Sequence, residues 1–257
     1  MTQTQPLFLY QLPPALGLPF SESPPCAKVE IYLRLTHTPY EARIGDTRTS
    51  PNAMAPFVRW PDGRLQAESS EIIAHLEANS GLLSPTRSPL DQDLDPERLS
   101  RARALATLIE EVAYDACLHD RFVSPEGWRL QRPITRELVA HFIPAPLAAP
   151  AAEVIRLQQI RRAARGPMRH PSSGYRLACD AIDQVEALLG NDAYLTGERP
   201  STADCSIWAH LIHTAATPND SPTRRTLRRS RPLLDWLLRL ASDAGWTVDP
   251  GILNGER

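Results

Sequence analysis

The sequence predicts a chain in two parts. Residues 1–80 read as an α/β unit with a mixed sheet covered by helices, 95–257 as an all-helical unit, and 81–94 as the linker. Three observations predict this. Between residues 7 and 78, apolar runs of strand length alternate with segments of helical period. The stretch 80–95, SGLLSPTRSPLDQDLD, is polar and proline-rich, the composition of a connector. Beyond Asp95-Pro96 nearly every apolar pattern repeats at helical spacing.

The elements follow in order. LFLYQL (7–12) is a short apolar strand. After a loop at 11–22 rich in Pro and Gly, SPPCAKVEIYLRLTH (23–37) reads as a helix: Ser23 can cap it and Pro24 can sit at its first position, where a missing N–H costs nothing. Cys26, Val29, Leu33 and Thr36 share one face. YEARI (40–44) is a second strand. FVRW (57–60) and RLQA (64–67), joined through Asp62-Gly63, form a hairpin. SSEIIAHLEAN (69–79) is a helix with Ile72, Ile73 and Leu76 as its stripe, and Ser80-Gly81 stops it. A crossover followed by an antiparallel hairpin gives a mixed sheet. In the second part, a long helix starts at Asp95-Pro96 with Leu99, Ala102, Ala106, Ile109, Ala113 and Ala116 in line. Further helices are expected near 134–142, 150–165, 174–190, 201–216 and 222–243.

Composition narrows the function. The 257 residues carry a formal net charge of −2 and 23% charged side chains, so no basic excess argues for nucleic acid. The basic run RRTLRRSR (224–231) lacks interleaved aromatics and reads as a solvated face. No run of about 18 apolar residues exists to span a membrane, and the first residues lack the basic start of a signal peptide. The four cysteines are scattered without a CxxC pair, which fits a reducing cytoplasm and no structural zinc. His210 and His213, three apart on one helix, have no carboxylate or cysteine to complete a metal set. The 25 prolines mark loops and helix starts.

Three pieces of the first part share a chemistry. Ser23-Pro24-Pro25-Cys26 opens a helix, whose free N–H groups and partial positive charge favour an anion such as a thiolate. Pro56, just before a strand, suits a tight turn of the kind a cis bond makes, whose preceding residue leaves backbone groups free for a ligand. Glu68-Ser69 opens another helix: Ser69 and the helix start suit a carboxylate, Glu68 an ammonium group. Together they suit a short zwitterionic peptide bearing a thiol.

The same residues carry a family resemblance. SPPCAKVEIYLRLTHTPYE resembles the first helix and following strand of the glutathione transferase superfamily. APFVRWPDGRLQAESSEIIAHLEAN is similar to that superfamily's glutathione site. YLTGERPSTADCSIWAHLIHT resembles its C-terminal signature, where Ser201 and Asp204 form an S-x-x-D cap. The opening 7–34, with its loop before the Ser-Pro motif, looks most like the failed-axon-connections/metaxin-like branch. The resemblance covers about 7 to 243. It implies a thioredoxin-like N-terminal domain, an all-α glutathione-transferase C-terminal domain, and homodimerisation.

By that resemblance, Ser23 stands where serine-type transferases hold the glutathione sulfur, and Cys26 at the second cysteine of a thioredoxin-like pair. Ala55 and Pro56 take the backbone-pairing role, Glu68 and Ser69 the γ-glutamyl role. Tyr114, Arg121 and Trp128 fall where the helical half flanks the acceptor. Pro25 replaces the usual aromatic, and Met54 stands where many relatives carry a polar or basic residue. Glutathione is the implied co-substrate, and the partner is a small electrophile or a disulfide. Three readings stay open: Ser23-assisted thiolate attack, Cys26-based thiol–disulfide exchange, and a non-catalytic adaptor. Physically, Ser23 can be only a cap, worth about 1 kcal/mol, Cys26 only a buried small apolar residue, and Tyr114 only core.

Overall fold

β1 (Leu7–Gln11) is the pivot of the first half. It pairs in parallel with β2 (Tyr40–Ile44) and antiparallel with β3 (Phe57–Arg59), which pairs antiparallel with β4 (Leu65–Ala67). The sheet order is β2-β1-β3-β4, a mixed sheet as expected. This computed structural model describes residues 6–79 and 88–254. Residues 81–87 of the expected linker, the Ser80-Gly81 stop and both chain ends lie outside the described residues.

The hairpin turn takes the three residues between the two expected strands, with Asp62-Gly63 inside it. Trp60 N donates to Arg64 O at 2.9 Å, so Pro61, Asp62 and Gly63 form the loop. Gly63 takes the left-handed position at φ 86, which a side chain disfavours.

α1 (Pro24–Leu35) is buried nearly all round rather than along one stripe. It sits against α7 (Thr202–Ala216) as well as α2 (Ser69–Ala78). Its polar residues are therefore paired: Glu30 accepts from Gln11 Nε2 and Tyr40 Oη, both at 2.8 Å, tying α1 to β1 and β2. Lys28 Nζ lies 2.5 Å from Glu110 Oε1 and 2.8 Å from Ser70 Oγ.

The second half holds α3 (Pro96–Leu118), α4 (Pro125–Ala140), α5 (Ala145–Ala163), α6 (Pro171–Leu189), α7, α8 (Pro222–Arg229), α9 (Arg231–Asp243) and α10 (Pro250–Asn254). α7 is the centre, buried from Ala203 to Ala216. Its capping box forms: Ser201 Oγ accepts from Asp204 N at 3.3 Å, and Asp204 Oδ2 accepts from Ser201 N at 2.9 Å. Asp204 Oδ1 also accepts from Leu195 N and Trp236 Nε1.

Three boundaries differ from the expectation. α4 and α5 begin well before 134 and 150, because Pro133 and Pro150 lie inside helices instead of opening them. An interior proline costs about 3 kcal/mol, which tertiary packing of the two helices offsets. The single helix expected over 222–243 is two, because Ser230 caps a new start by accepting from Leu233 N at 3.2 Å. A π-helical turn, His119–Val123, joins α3 to α4; no sequence signal had marked it.

The loop before α1 is anchored. Phe20 is 1% exposed and packs on Trp208 and Trp246 at ring separations of 5.0 and 4.7 Å. His213 Nε2 lies 2.9 Å from Ser21 O. The loop thus enters the core of the helical half.

Candidate active site

Sheet register gathers the expected residues at one end. β1 runs antiparallel to β3 with Tyr10 opposite Phe57, and β3 to β4 with Phe57 opposite Ala67. The end of β1, the Ala55–Pro56 step into β3 and the Glu68–Ser69 exit from β4 therefore lie at the same edge. The Ala55–Pro56 peptide is cis.

Glu68 adopts φ 70 directly before α2. A non-glycine residue there costs of order 1 kcal/mol or more. Its exposed carboxylate accepts from Asn52 Nδ2 at 2.6 Å. Ser69, half-buried, is the first residue of α2. Asn52 is a functional candidate the sequence did not mark; it is fixed in turn by accepting from Met54 N at 3.0 Å.

Ser23 is the N-cap residue of α1, yet its side chain makes no capping hydrogen bond. The hydroxyl that capping would have consumed turns toward the Cys26 thiol instead, at the positive end of the helix. Ser23 and Pro24 open on a cavity of about 270 Å³. Cys26 lies one turn deeper with no exposed surface. Burial pushes its thiol up to about 11, against the opposing pull of the Ser23 and Ser21 hydroxyls and the Leu12 backbone. A nucleophilic cysteine needs exposure and a lowered pKa; Cys26 has neither, so the geometry favours Ser23 over Cys26.

The cavity's far wall comes from the helical half. Tyr114, Leu118 and Phe122 line it from α3 and the π turn; Leu138, Val139 and Phe142 from α4 and its end; Ile155 and Gln159 from α5. Tyr114 meets His210 edge-on at 5.5 Å and lies under the Arg162 guanidinium at 4.8 Å. Among the described residues the Gln159 side-chain oxygen is buried without a partner. Arg121 also lines the cavity, but its guanidinium is committed: it donates to Glu22 Oε2 at 2.8 Å, Glu22 O at 3.1 Å and Gln131 Oε1 at 2.9 Å. It clamps the loop before Ser23 to the helical half. Trp128, the third expected residue, is buried beside Phe122 in a cluster with Leu118 and Ala152 and does not line this cavity. The start of α4 turns its indole inward, beneath the Arg156 guanidinium at 5.1 Å.

Glu22, Thr135 and Gln159 were not foreseen. Glu22 lies outside any periodic segment, and the α4 and α5 residues become neighbours only through the tertiary fold. Among the described residues no group of three His, Cys, Asp or Glu side chains is placed to hold a metal, and no helix is long and apolar enough to cross a membrane. All four cysteines are free.

The comparisons agree with this geometry. Residues 24–127 match a glutathione S-transferase N-terminal domain family and 178–240 a glutathione S-transferase C-terminal domain family. The chain is 26% identical over 239 residues to the isoprene-epoxide–glutathione S-transferase of Rhodococcus sp. (strain AD45), covering 90% of this chain and 96% of that protein. It is 22% identical over 189 residues to mouse metaxin-1, covering 70% of this chain and 56% of metaxin-1. The structure of glutathione transferase GSTFuA3 from Phanerochaete chrysosporium superposes with a TM-score of 0.64 at 15% identity, covering 96% of this chain and 100% of that one. With a thioredoxin-like sheet domain, a helical second domain and family matches in both, the chain belongs to the glutathione S-transferase superfamily.

Proposed function

We propose that the protein is a glutathione transferase that activates the glutathione thiol for attack on a small electrophile. The Ser23 hydroxyl at the start of α1, not spent on capping the helix and bordering the cavity, carries this reading. Glu68 and Ser69 suit the γ-glutamyl end, with the Glu68 carboxylate facing an ammonium group and the α2 start facing a carboxylate. Ala55 and Pro56 present backbone to the peptide. Ser23 donates to the sulfur, and the helix start adds its partial positive charge, so more of the thiol is ionised near pH 7.

The acceptor lies against Tyr114, Phe122 and Val139. The cavity volume and largely apolar wall suit a small molecule with few polar atoms, and Gln159 offers one hydrogen-bonding oxygen. The Rhodococcus relative is named for an epoxide, an electrophile of that size and kind. A cytoplasmic detoxifying role and a homodimer belong to this proposal. So does the failed-axon-connections/metaxin-like branch, on the loop at 11–22 and the metaxin-1 match.

The test is turnover of a panel of epoxides and other electrophiles with glutathione, with Ser23→Ala and Cys26→Ala compared. We expect Ser23→Ala to lower kcat/KM by about a hundredfold, as loss of one preorganised donor does, and Cys26→Ala to leave it within about twofold. The reverse pattern, with a glutathione mixed disulfide on Cys26, would establish thiol–disulfide exchange instead.

A further inference from the structure

The helical hairpin α4–α5 carries features that the reaction does not use. Most of it falls between the two matched stretches, which end at 127 and resume at 178. One side lines the acceptor cavity; the other faces solvent. Residues 124–176 hold nine arginines and three glutamates in a chain of formal net charge −2. Arg129, Arg136, Arg161, Arg165 and Arg169 are exposed and make no ion pair or side-chain hydrogen bond among the described residues. On α5, Leu147, Val154 and Leu157 are 55%, 54% and 51% exposed. At about 100° per residue these three fall with Arg161 within one face about 80° wide, and Arg165 follows in the turn just past the helix end. The Arg132–Glu153 ion pair, beside that face, ties α5 to α4.

We infer that this face docks on an anionic lipid bilayer surface. Apolar side chains in a row leave water at the headgroup boundary, while arginines beside them reach lipid phosphates. The remainder of the chain is acidic, so the field turns the hairpin toward a negative surface. Nucleic acid supplies phosphates but no apolar layer for Leu147, Val154 and Leu157, and the one tryptophan of the hairpin is buried and unable to stack on a base. A second copy of the same face brings like charge together. The inference stands apart from the glutathione reading.

The test is co-sedimentation of the full chain, without glutathione, with vesicles of phosphatidylcholine alone or with about 30% phosphatidylglycerol. We expect about tenfold or greater preference for the anionic vesicles, weakening with salt. Arg161→Gln/Arg165→Gln and Val154→Ser/Leu157→Ser should each lower binding about tenfold with unchanged thermal melting. Arg225→Gln, on an arginine paired with Asp220, should leave it unchanged. Equal or absent binding to the two vesicle types would overturn the inference. So would anionic binding that survives both double substitutions, or capture by RNA or an acidic peptide without any vesicle binding.

Discussion

At the scale of single residues, side-chain commitments separate the candidates. Ser23 and Cys26 are three positions apart, yet one borders a cavity without capping its helix and the other is sealed in the core. Sequence could name both and not choose, because burial is a property of what packs against α1. Arg121 shows the same limit: its position was legible, but its carboxylate partner, Glu22, is 99 residues away. Asp120 yields a prediction of its own. It is 2% exposed, accepts from Tyr175 Oη, and burial raises its carboxyl to about 6, against the opposing hydroxyl and amide donors. A carboxyl whose folded pKa lies above its unfolded one costs stability as pH rises from about 4 to about 6. Asp120→Asn removes this cost. Its stability relative to the parent should rise by about 2–3 kcal/mol between pH 4 and pH 7, measured by urea unfolding across that range. A relative stability independent of pH would show that Asp120 ionises normally.

Elements were legible where local signals agree with the fold. β2 runs from Tyr40 to Ile44 as its pattern marks, and the S-x-x-D motif starts α7. They were misread where tertiary packing overrides a local rule, at Pro133, Pro150 and the π turn. The turn and the start of α4 are fitted closely: a Cβ at Gly127 would run into the Asp120 carbonyl. Backbone cannot yield as a flexible side chain does, so Gly127→Ala should destabilise the protein by about 2–3 kcal/mol. Because the hairpin α4–α5 forms one wall of the acceptor cavity and not the Glu68–Ser69 edge, KM for the electrophile should rise while glutathione affinity stays near that of the parent. A parallel loss of both in steady-state kinetics and calorimetry would contradict the separation of the two half-sites.

Across the whole molecule, the site depends on how the sheet half meets the helical half. The division into two parts was readable from the change of periodicity near 95; the joint between them was not. It is made by Phe20 against Trp208 and Trp246, by Glu22 with Arg121, and by Lys28 with Glu110. Lys28 is the chain's one lysine. Ser206 Oγ also donates to Glu110. Burial alone would raise the Glu110 carboxyl, but the Lys28 charge and hydrogen bonds hold it below its usual value. Lys28→Met leaves that carboxylate without its cation and should cost about 3 kcal/mol at pH 7. A lowered carboxyl contributes stability above its unfolded pKa and loses it as pH falls through the folded one. The deficit of the variant should therefore shrink below about pH 4, as urea unfolding would show; a deficit constant with pH would assign it to packing. That the sheet edge holds glutathione is tested by calorimetric titration of glutathione into the parent and Glu68→Ala: binding to the parent should be millimolar or tighter, and lost or weakened about tenfold or more in Glu68→Ala, whose exposed side chain can be removed without disturbing the core. Binding equal in both proteins, or absent from the parent at cellular glutathione concentrations, would contradict it.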